Sequence, residues 1–201
     1  MLFNASKKTI NAQQQTIALQ ASQLEAINRS MAVIEFDLNG IVLAANENFL
    51  KTMGYRSEQV LGQPHRQFCL PDYARSGEYQ AFWQHLKSGQ FESGTFERVG
   101  ANGQPIWLEA SYNPVKDEQG NVVKVIKYAF DVTLKVQHES QTKGKLQALD
   151  RAMGIIEFNL DGSIVDANQN FLSLVGYSLA ELKGKHHRLF CKPALAVSYT
   201  H

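Results

Sequence analysis

The sequence predicts an α+β protein with two tandem copies of one small domain, the second of them truncated. The first observation behind this prediction is a repeat. The segment Met31–Pro71 returns as Met153–Pro193, and 19 of the 41 aligned positions are identical. So long a period is typical of two domains in tandem and not of a stack of short repeats. The second observation is that strands joined by short turns alternate with separate helical segments, which is typical of antiparallel α+β domains.

The composition is that of a folded chain without a strongly charged surface. Of its 201 residues, 44% are hydrophobic and 19% are charged, which favours a packed core over disorder. The formal net charge of +1 provides no basic field for nucleic acid or an anionic membrane. No apolar run approaches the roughly 20 residues that span a bilayer, so we expect no membrane span. The two cysteines, Cys69 and Cys191, occupy equivalent positions in different copies, which indicates a reducing compartment and predicts a cytoplasmic location.

Residues 1–30 are predicted to form an amphipathic helix, because residues 4–30 contain no Pro or Gly and are rich in good helix formers. Four apolar residues recur in them every seven positions, while the companion seam is partly polar. This pattern is consistent with a weak coiled coil between two chains. The alternative is a single helix that packs its apolar stripe on its own domain. The recurring residues are Ile10, Ile17, Leu24 and Met31, and the companion seam is Gln13, Gln20 and Ile27.

The next segment reads as a hairpin followed by a short helix. Residues 33–41 predict two strands around a two-residue Asn39-Gly40 turn, and the second copy has Asp161-Gly162 at the same place. Asn46 is placed to cap a helix over Glu47–Thr52, which Gly54 would end. A further helical turn is predicted from Ser57.

A one-sided helix and a three-stranded meander complete the first copy. Aromatic and apolar residues at helical spacing predict a helix over Ser76–Lys87. Three strands with tight turns follow at Phe91–Val99, Pro105–Val115 and Val122–Asp131, which predicts antiparallel pairing. Strand periodicity places Leu108, Ala110 and Tyr112 towards the helices, and Trp107, Glu109 and Ser111 on the other face.

The predicted boundaries follow from the repeat. They are a helix at 1–30, a first domain at 31–133, a helical linker at 134–152 and the N-terminal part of a second domain at 153–201. Leu146, Leu149 and Met153 correspond to Leu24, Ile27 and Met31, so each copy has its own entry helix. Because the second copy lacks everything after the counterpart of Tyr79, we expect the chain to be a fragment of a longer protein.

In detail the sequence resembles PAS domains. The resemblance rests on the run Asn46–Tyr55, the Leu61-Gly62 step, the Asn102-Gly103 hairpin and the closing Asp131-Val132-Thr133. The segments 65–71, 78–86 and 106–115 look more narrowly like the tandem PAS modules at the front of soluble bacterial methyl-accepting chemotaxis proteins. This resemblance implies a PAS fold with a five-stranded antiparallel sheet and short helices on one face.

The resemblance also implies a function. A PAS pair of this kind is a sensory input module that passes ligand or redox state through helices to a C-terminal signalling domain, which is missing here. It also implies a homodimer and, through the missing region, a histidine kinase and a coupling protein as partners. The alternatives are the PAS regulatory region of a histidine kinase or of a cyclic-dinucleotide enzyme, and a ligand-free PAS dimerisation module. No motif for catalysis is present, so we expect no enzymatic activity of this chain.

His65 and Cys69 are the first candidate site residues, and they recur as His187 and Cys191. Two such ligands per copy leave a metal site incomplete, so no metal is predicted. One interpretation is an imidazole that caps a helix end beside a Cys in the core. The other is haem, with His65 or His85 as the axial ligand. Adduct-type flavin chemistry is disfavoured, because the light-sensing PAS subfamily has its reactive Cys where this chain has His65.

A ligand pocket is the remaining candidate, and it rests on the resemblance to PAS domains. Its expected lining would lie between the sheet and the helices, although aromatic residues at these spacings also form ordinary cores. The cofactor itself stays unknown from the sequence. Arg98 shares the parity of Phe96 and is expected to point inward, where it would need an anionic partner, unless it is exposed at the strand end. The lining comprises Tyr79, Phe82, Trp83, Phe96, Leu108, Ala110 and Tyr112, beside His65 and Cys69.

Overall fold

The computed structural model describes residues 2–191, and side chains from residue 10 onward. The chain forms two compact units that divide between Val136 and Gln137. The first contains the long helix α1 and a complete α+β domain. Its elements are α1 (Leu2–Ser30), β1 (Ala32–Phe36), β2 (Val42–Ala45), α2 (Glu47–Met53), two 3-10 turns (Ser57–Gln59 and His65–Phe68), α3 (Pro71–Arg75), α4 (Gly77–Lys87), β3 (Glu92–Val99), β4 (Pro105–Lys116) and β5 (Val122–Asp131).

The five strands of the first unit form one antiparallel sheet in the order β2-β1-β5-β4-β3. The late strand β5 lies at the centre, because it pairs with β1 on one side and with β4 on the other. In register, Ala110 of β4 faces Ala129 of β5, and Ala129 faces Ala32 of β1. This confirms the predicted α+β class with its five-stranded antiparallel sheet.

The helices form because their ends carry the expected capping residues. Asn46 accepts a hydrogen bond from the backbone N–H of Phe49, and α2 ends at Gly54, whose φ is +75°. Ser76 caps α4 in the same way, through the N–H of Tyr79. The apolar faces of these helices pack on the sheet, where Phe82, Trp83 and Leu86 of α4 join Leu108 and Tyr112 of β4 in one core.

The hairpin between β1 and β2 differs from the prediction of a two-residue turn, which was wrong. The N–H of Asp37 donates to the carbonyl of Ile41 (2.8 Å), so the loop is longer. The Asp37 carboxylate accepts from the N–H groups of Asn39 and Ile41 at 2.8 Å each. Only Gly40 has a positive φ, +76°, whereas a two-residue turn of the predicted type needs two such residues.

Helix α1 leaves its apolar stripe in solvent. Ile10, Ile17 and Leu24 are between 52% and 65% exposed. Of the two predicted alternatives, packing of this stripe on the helix's own domain is therefore wrong. The structure does not test the other, a coiled coil between two chains.

The second unit repeats the beginning of the first. Helix α5 (Thr133–Ala152) starts in the first unit and continues into the second, and the remaining elements are β6 (Ile156–Phe158), β7 (Ile164–Ala167), α6 (Gln169–Val175), α7 (Leu179–Leu182) and a 3-10 turn (His187–Phe190). Strands β6 and β7 pair as an antiparallel hairpin. Phe158 is 45% exposed here, whereas its counterpart in the first unit, Phe36, is fully buried. The predicted boundaries at 133 and 152 stay predictions.

Candidate functional site

Four polar residues lie inside the apolar core of the first domain, and we call them the polar cluster: His65, Arg98, Tyr112 and Lys127. Their exposed fractions are 1%, 3%, 0% and 2%, respectively. Charged residues are almost never buried this completely unless they are paired. Hydrophobic packing alone therefore does not explain why these four residues are buried.

Strand periodicity brings three members of the cluster to the inner face of the sheet. Tyr112 lies on β4 with Leu108 and Ala110, all three of them buried as predicted. Arg98 on β3 also points inward, which confirms one of the two alternatives for this residue.

Lys127 is the cluster member that the sequence analysis missed. It alternates with Val125 and Ala129 on β5, and all three are buried. The same period of two that predicted the facing of Tyr112 would have placed Lys127 inward. The inward facing of Lys127 was therefore identifiable from the sequence.

Hydrogen bonds through two tyrosine hydroxyls connect three members of the cluster, His65, Arg98 and Tyr112. Arg98 Nη2 donates to the Tyr112 hydroxyl (3.1 Å), and this hydroxyl lies 3.1 Å from His65 Nε2. His65 Nδ1 lies 3.3 Å from the Tyr79 hydroxyl. A tyrosine hydroxyl can donate or accept, so each ring nitrogen of a neutral His65 has a partner in either tautomer.

Aromatic rings enclose the imidazole of His65 on several sides. Its ring centroid lies 5.2 Å from that of Phe36, 5.5 Å from Trp83 and 6.0 Å from Phe82. Both ring nitrogens already contact tyrosine hydroxyls, so His65 presents no free nitrogen to a haem iron. As they stand, these residues do not fit a haem ligated by His65.

The other candidate site residues lie in different surroundings. Cys69 is 5% exposed, and its Sγ is 3.7 Å from His65 Nδ1, so it is the core cysteine of the first interpretation. His65 itself does not cap a helix end, because its ring lies inside the core. His85 lies on α4, where its ring nitrogens contact Glu92 and Gln90. Ligation of haem by His85 would require these contacts to break, and its role stays a prediction.

The remaining predicted lining residues do lie between the sheet and the helices. Trp83, Leu108 and Ala110 are buried in the same core, and Phe96 packs against it. The indole N–H of Trp83 is buried without a hydrogen-bond partner. The predicted residues thus come together around the polar cluster, but whether they bind a ligand stays a prediction.

Burial sets the protonation states of the cluster. It lowers the pKa of His65 well below its ordinary value of 6.5, and the nearby Arg98 and Lys127 lower it further. Burial also lowers the pKa of Lys127 well below 10.5, with Arg98 acting in the same direction. The pKa of Tyr112 is raised by burial, although Arg98 opposes this. At neutral pH both His65 and Tyr112 are therefore uncharged.

We expect acidification to destabilise the first domain through His65. Below pH 6.5 the unfolded chain protonates this residue while the folded domain does not, so unfolding takes up a proton and stability falls as the pH falls. The contribution is about 1.4 kcal/mol per pH unit below that value. Urea denaturation of the parent and of His65→Gln between pH 7 and pH 5 would measure it. Lys127 and His85 are present in both proteins, so their effects cancel in the comparison. If the free energy of unfolding fell equally steeply with pH in the parent and in His65→Gln, the assignment to His65 would be contradicted.

The comparisons with known proteins define the class of protein first. A family model described as PAS fold matches residues 42–129, and a second model, described as PAS domain, matches residues 152–199. Both domains of the chain are thus covered, and the chain belongs to the PAS domain family. This confirms the predicted tandem arrangement.

Within this class the chain is similar to two curated bacterial proteins. It is 49% identical over 170 residues to the biofilm dispersion protein BdlA of Pseudomonas aeruginosa, which covers 85% of the chain and 41% of that protein. It is 30% identical over 82 residues to the aerotaxis receptor of Escherichia coli, which covers 41% of the chain and 16% of the receptor. The chain therefore spans less than half the length of these curated relatives.

Solved structures show the same fold. An RNA-binding light-oxygen-voltage receptor matches with a TM-score of 0.55 and 23% identity, over 66% of this chain and 38% of that chain. A PAS domain from Colwellia psychrerythraea matches with a TM-score of 0.52 and 20% identity, over 57% of this chain and 98% of that chain. In the described part of the molecule, no helix is both long and apolar enough to cross a bilayer.

Proposed function

We propose that this chain is the sensory input region of a bacterial chemoreceptor. In this role the first domain takes up a signal and passes it to the helices that enter and leave it, and the chain itself catalyses no reaction. The similarity to BdlA and to the aerotaxis receptor supports this proposal, since their names describe biofilm dispersion and movement in response to oxygen. The observation that carries the proposal is the way in which each entry helix is joined to its domain.

Asn46 ties the end of α1 to the core of the first domain. Its Nδ2 donates to the carbonyls of Asn28 (3.0 Å) and Met31 (2.8 Å), at the end of the helix. Its Oδ1 accepts from the N–H groups of Val33 (3.0 Å) and Phe49 (2.9 Å), at the starts of β1 and α2. One side chain therefore connects the entry helix, the sheet and the first short helix.

Asn48 strengthens the same connection from the exposed side of α2. Its Nδ2 lies 2.9 Å from the carbonyl of Asn28, 3.1 Å from that of Arg29 and 3.2 Å from that of Met31. The last carbonyls of a helix have no partner within the helix, so these amides satisfy groups that would otherwise need water. Any displacement of α2 would therefore act on the end of α1 through these hydrogen bonds.

The second unit repeats this connection at the end of α5. Asn168 Nδ2 donates to the carbonyls of Asp150 (2.8 Å) and Met153 (2.7 Å). Its Oδ1 accepts from the N–H groups of Ile155 (2.8 Å) and Phe171 (2.9 Å). Two copies with many sequence differences thus keep the same joint between the entry helix and the domain, which supports a role of the joint in signal transfer.

The segment that leads from β5 into α5 is hydrogen-bonded to the sheet as well. The N–H of Trp107 donates to the Thr133 hydroxyl (2.9 Å), and the Trp107 carbonyl accepts from the N–H of Val132 (2.8 Å). Helix α5 begins at this point, so a change in β4 would reach α5 directly. Trp107 is partly exposed on the outer face of the sheet, as predicted.

Further partners follow from the same proposal. The exposed stripe of α1 supports a homodimer through paired helices. A histidine kinase and a coupling protein would bind a signalling region outside this chain. The regulatory region of a histidine kinase or of a cyclic-dinucleotide enzyme would use the same input and differ in its output. The cytoplasmic location stays a prediction of the cysteine pattern.

Replacing Asn48 by Ala in the source organism is expected to reduce the response to the signal without removing the protein. The change deletes the amide that contacts three helix carbonyls but spares the Asn46 cap of α2, so we expect a loss of stability of about 1 kcal/mol. The readouts are spreading in soft agar under an oxygen gradient and release of cells from a biofilm. Protein abundance is measured in parallel.

Glu47→Ala is the matched control, since Glu47 neighbours Asn48 but forms only an exposed ion pair with Lys51. We expect this variant to respond like the parent. An unchanged response of Asn48→Ala at normal abundance would contradict signal transfer through this joint. Unchanged taxis and dispersion on deletion of the whole gene would contradict the sensory function.

A further inference from the structure

Arg98 and Lys127 are two buried basic side chains that have no carboxylate partner. They are 3% and 2% exposed, respectively. Among residues 10–191, whose side chains the structure describes, neither forms an ion pair with a carboxylate. Burial of an unpaired charge is costly, and proteins pair such charges or use them to bind ligands.

The guanidinium of Arg98 has donors to spare. Its Nη1 donates to the carbonyl of Glu97 (2.7 Å) and its Nη2 to the Tyr112 hydroxyl (3.1 Å). Its Nε–H is buried and has no hydrogen-bond partner. A guanidinium carries five N–H donors in a planar fork and does not lose its charge, so it needs an acceptor at this place. The acceptor that matches this fork best is a carboxylate.

Lys127 approaches the same tyrosine from the neighbouring strand. Its Nζ lies 4.9 Å from the centroid of the Tyr112 ring. Tyr112 does not supply the missing negative charge, because burial raises the pKa of its hydroxyl. Burial raises the pKa of the Cys69 thiol too. Neither Tyr112 nor Cys69 therefore supplies Arg98 with a negative charge at neutral pH.

We propose that the first domain binds a small organic carboxylate between Arg98 and Lys127, next to the Tyr112 hydroxyl. The Phe96 ring, whose centroid is 5.0 Å from the Arg98 guanidinium, provides an apolar wall for a short carbon chain. The half-buried ring of Tyr73 on α3 lies 5.9 Å from the same group and forms the outer cover of the site. The role of this carboxylate as a signal rests on the proposed chemoreceptor function. Its binding to the first domain does not depend on that function.

Binding is tested on the complete 201-residue chain with acetate and pyruvate as probes and acetamide as the neutral analogue of acetate. We expect one saturable site for at least one carboxylate in titration calorimetry, with a Kd of about 1 mM or tighter. Bound ligand should also raise the Tm, and the Arg98 Nε–H signal should shift in NMR spectra. Acetamide should produce neither effect.

Lys127→Met is expected to weaken carboxylate binding by about tenfold or more. It replaces a buried amine that has no carboxylate partner by an apolar side chain of similar length, so the domain should stay folded. Lys124→Met is the matched control, because Lys124 lies on the same strand but pairs with Glu35 at 2.6 Å and is only partly buried. We expect this control to bind like the parent.

Three results would overturn the proposal. The first is a parent chain that shows no saturable binding of either carboxylate. The second is binding that Lys127→Met leaves unchanged. The third is a tyrosinate absorption band at neutral pH that disappears in Tyr112→Phe, since Tyr112 would then be the counter-charge itself. A negative binding result leaves the Asn48 test of the sensory function intact, and a negative Asn48 result leaves the binding test intact.

Discussion

Replacing Gly40 by Ala is expected to destabilise the first domain by about 2–5 kcal/mol. Gly40 has a φ of +76°, a conformation that residues with a Cβ rarely adopt. A Cβ at this position would lie 2.8 Å from the Trp83 indole, which is buried against the core. The backbone strain and the collision act together, because the indole cannot move without disturbing its neighbours. Urea denaturation followed by circular dichroism measures the loss.

Gly62→Ala is the matched control for this prediction. Gly62 has nearly the same φ, +73°, but no atom lies within 4 Å of the position of its Cβ. This variant should therefore lose only the stability that the backbone strain costs, about 1–2 kcal/mol. Equal losses for the two variants would contradict the close packing of the hairpin on Trp83.

Tyr112→Phe is expected to cost about 2–4 kcal/mol, which is large for the removal of one oxygen atom. The hydroxyl accepts from Arg98 Nη2 and contacts His65 Nε2, both at 3.1 Å. Its removal leaves two buried polar groups without this partner, and an unsatisfied buried group costs more than an average hydrogen bond contributes. The free energy of unfolding at pH 7, from urea denaturation, is the measurement.

Tyr128→Phe provides the comparison on the same sheet. Tyr128 lies on β5 beside Lys127 but on the opposite face, where it is only partly buried. This variant should change the free energy of unfolding by less than about 0.5 kcal/mol. A Tyr112→Phe variant as stable as Tyr128→Phe would show that the hydroxyl does not hold the cluster together.

The two variants at Gly40 and Tyr112 also separate two functions of the core. Gly40 positions the hairpin against Trp83, at the wall of the site, and its substitution should disturb packing without changing any charge. Tyr112 joins Arg98 to His65, so its substitution should also change the pH dependence of stability. Below pH 6.5 the free energy of unfolding falls with pH, and we expect the slope of this fall to differ from the parent's in Tyr112→Phe. In Gly40→Ala the slope should equal that of the parent.

Much of the fold could be predicted from the sequence, because the signals are local. The cap at Asn46, the one-sided helix α4 and the alternation along β4 each depend on residues only a few positions apart. The repeat predicted two domains in tandem. Lys127 was within reach of the same reasoning, since its neighbours alternate as those of Tyr112 do.

Other features were decided by the tertiary structure alone. The loop after Asp37 takes its length from hydrogen bonds of the Asp37 carboxylate, which compete with the two-residue turn. The exposure of the α1 stripe depends on whether the domain has a surface on which the stripe can pack. The heptad pattern of the sequence predicts the stripe but not such a surface. The polar cluster is the clearest case: His65 and Tyr112 are 47 residues apart, and only the antiparallel sheet beneath the 3-10 turn brings them to 3.1 Å. By itself the sequence determined which residues face inward, because facing follows from the period of a strand. Which inward residues meet was decided by strand order, since β5, the last strand in the first domain, is inserted at its centre.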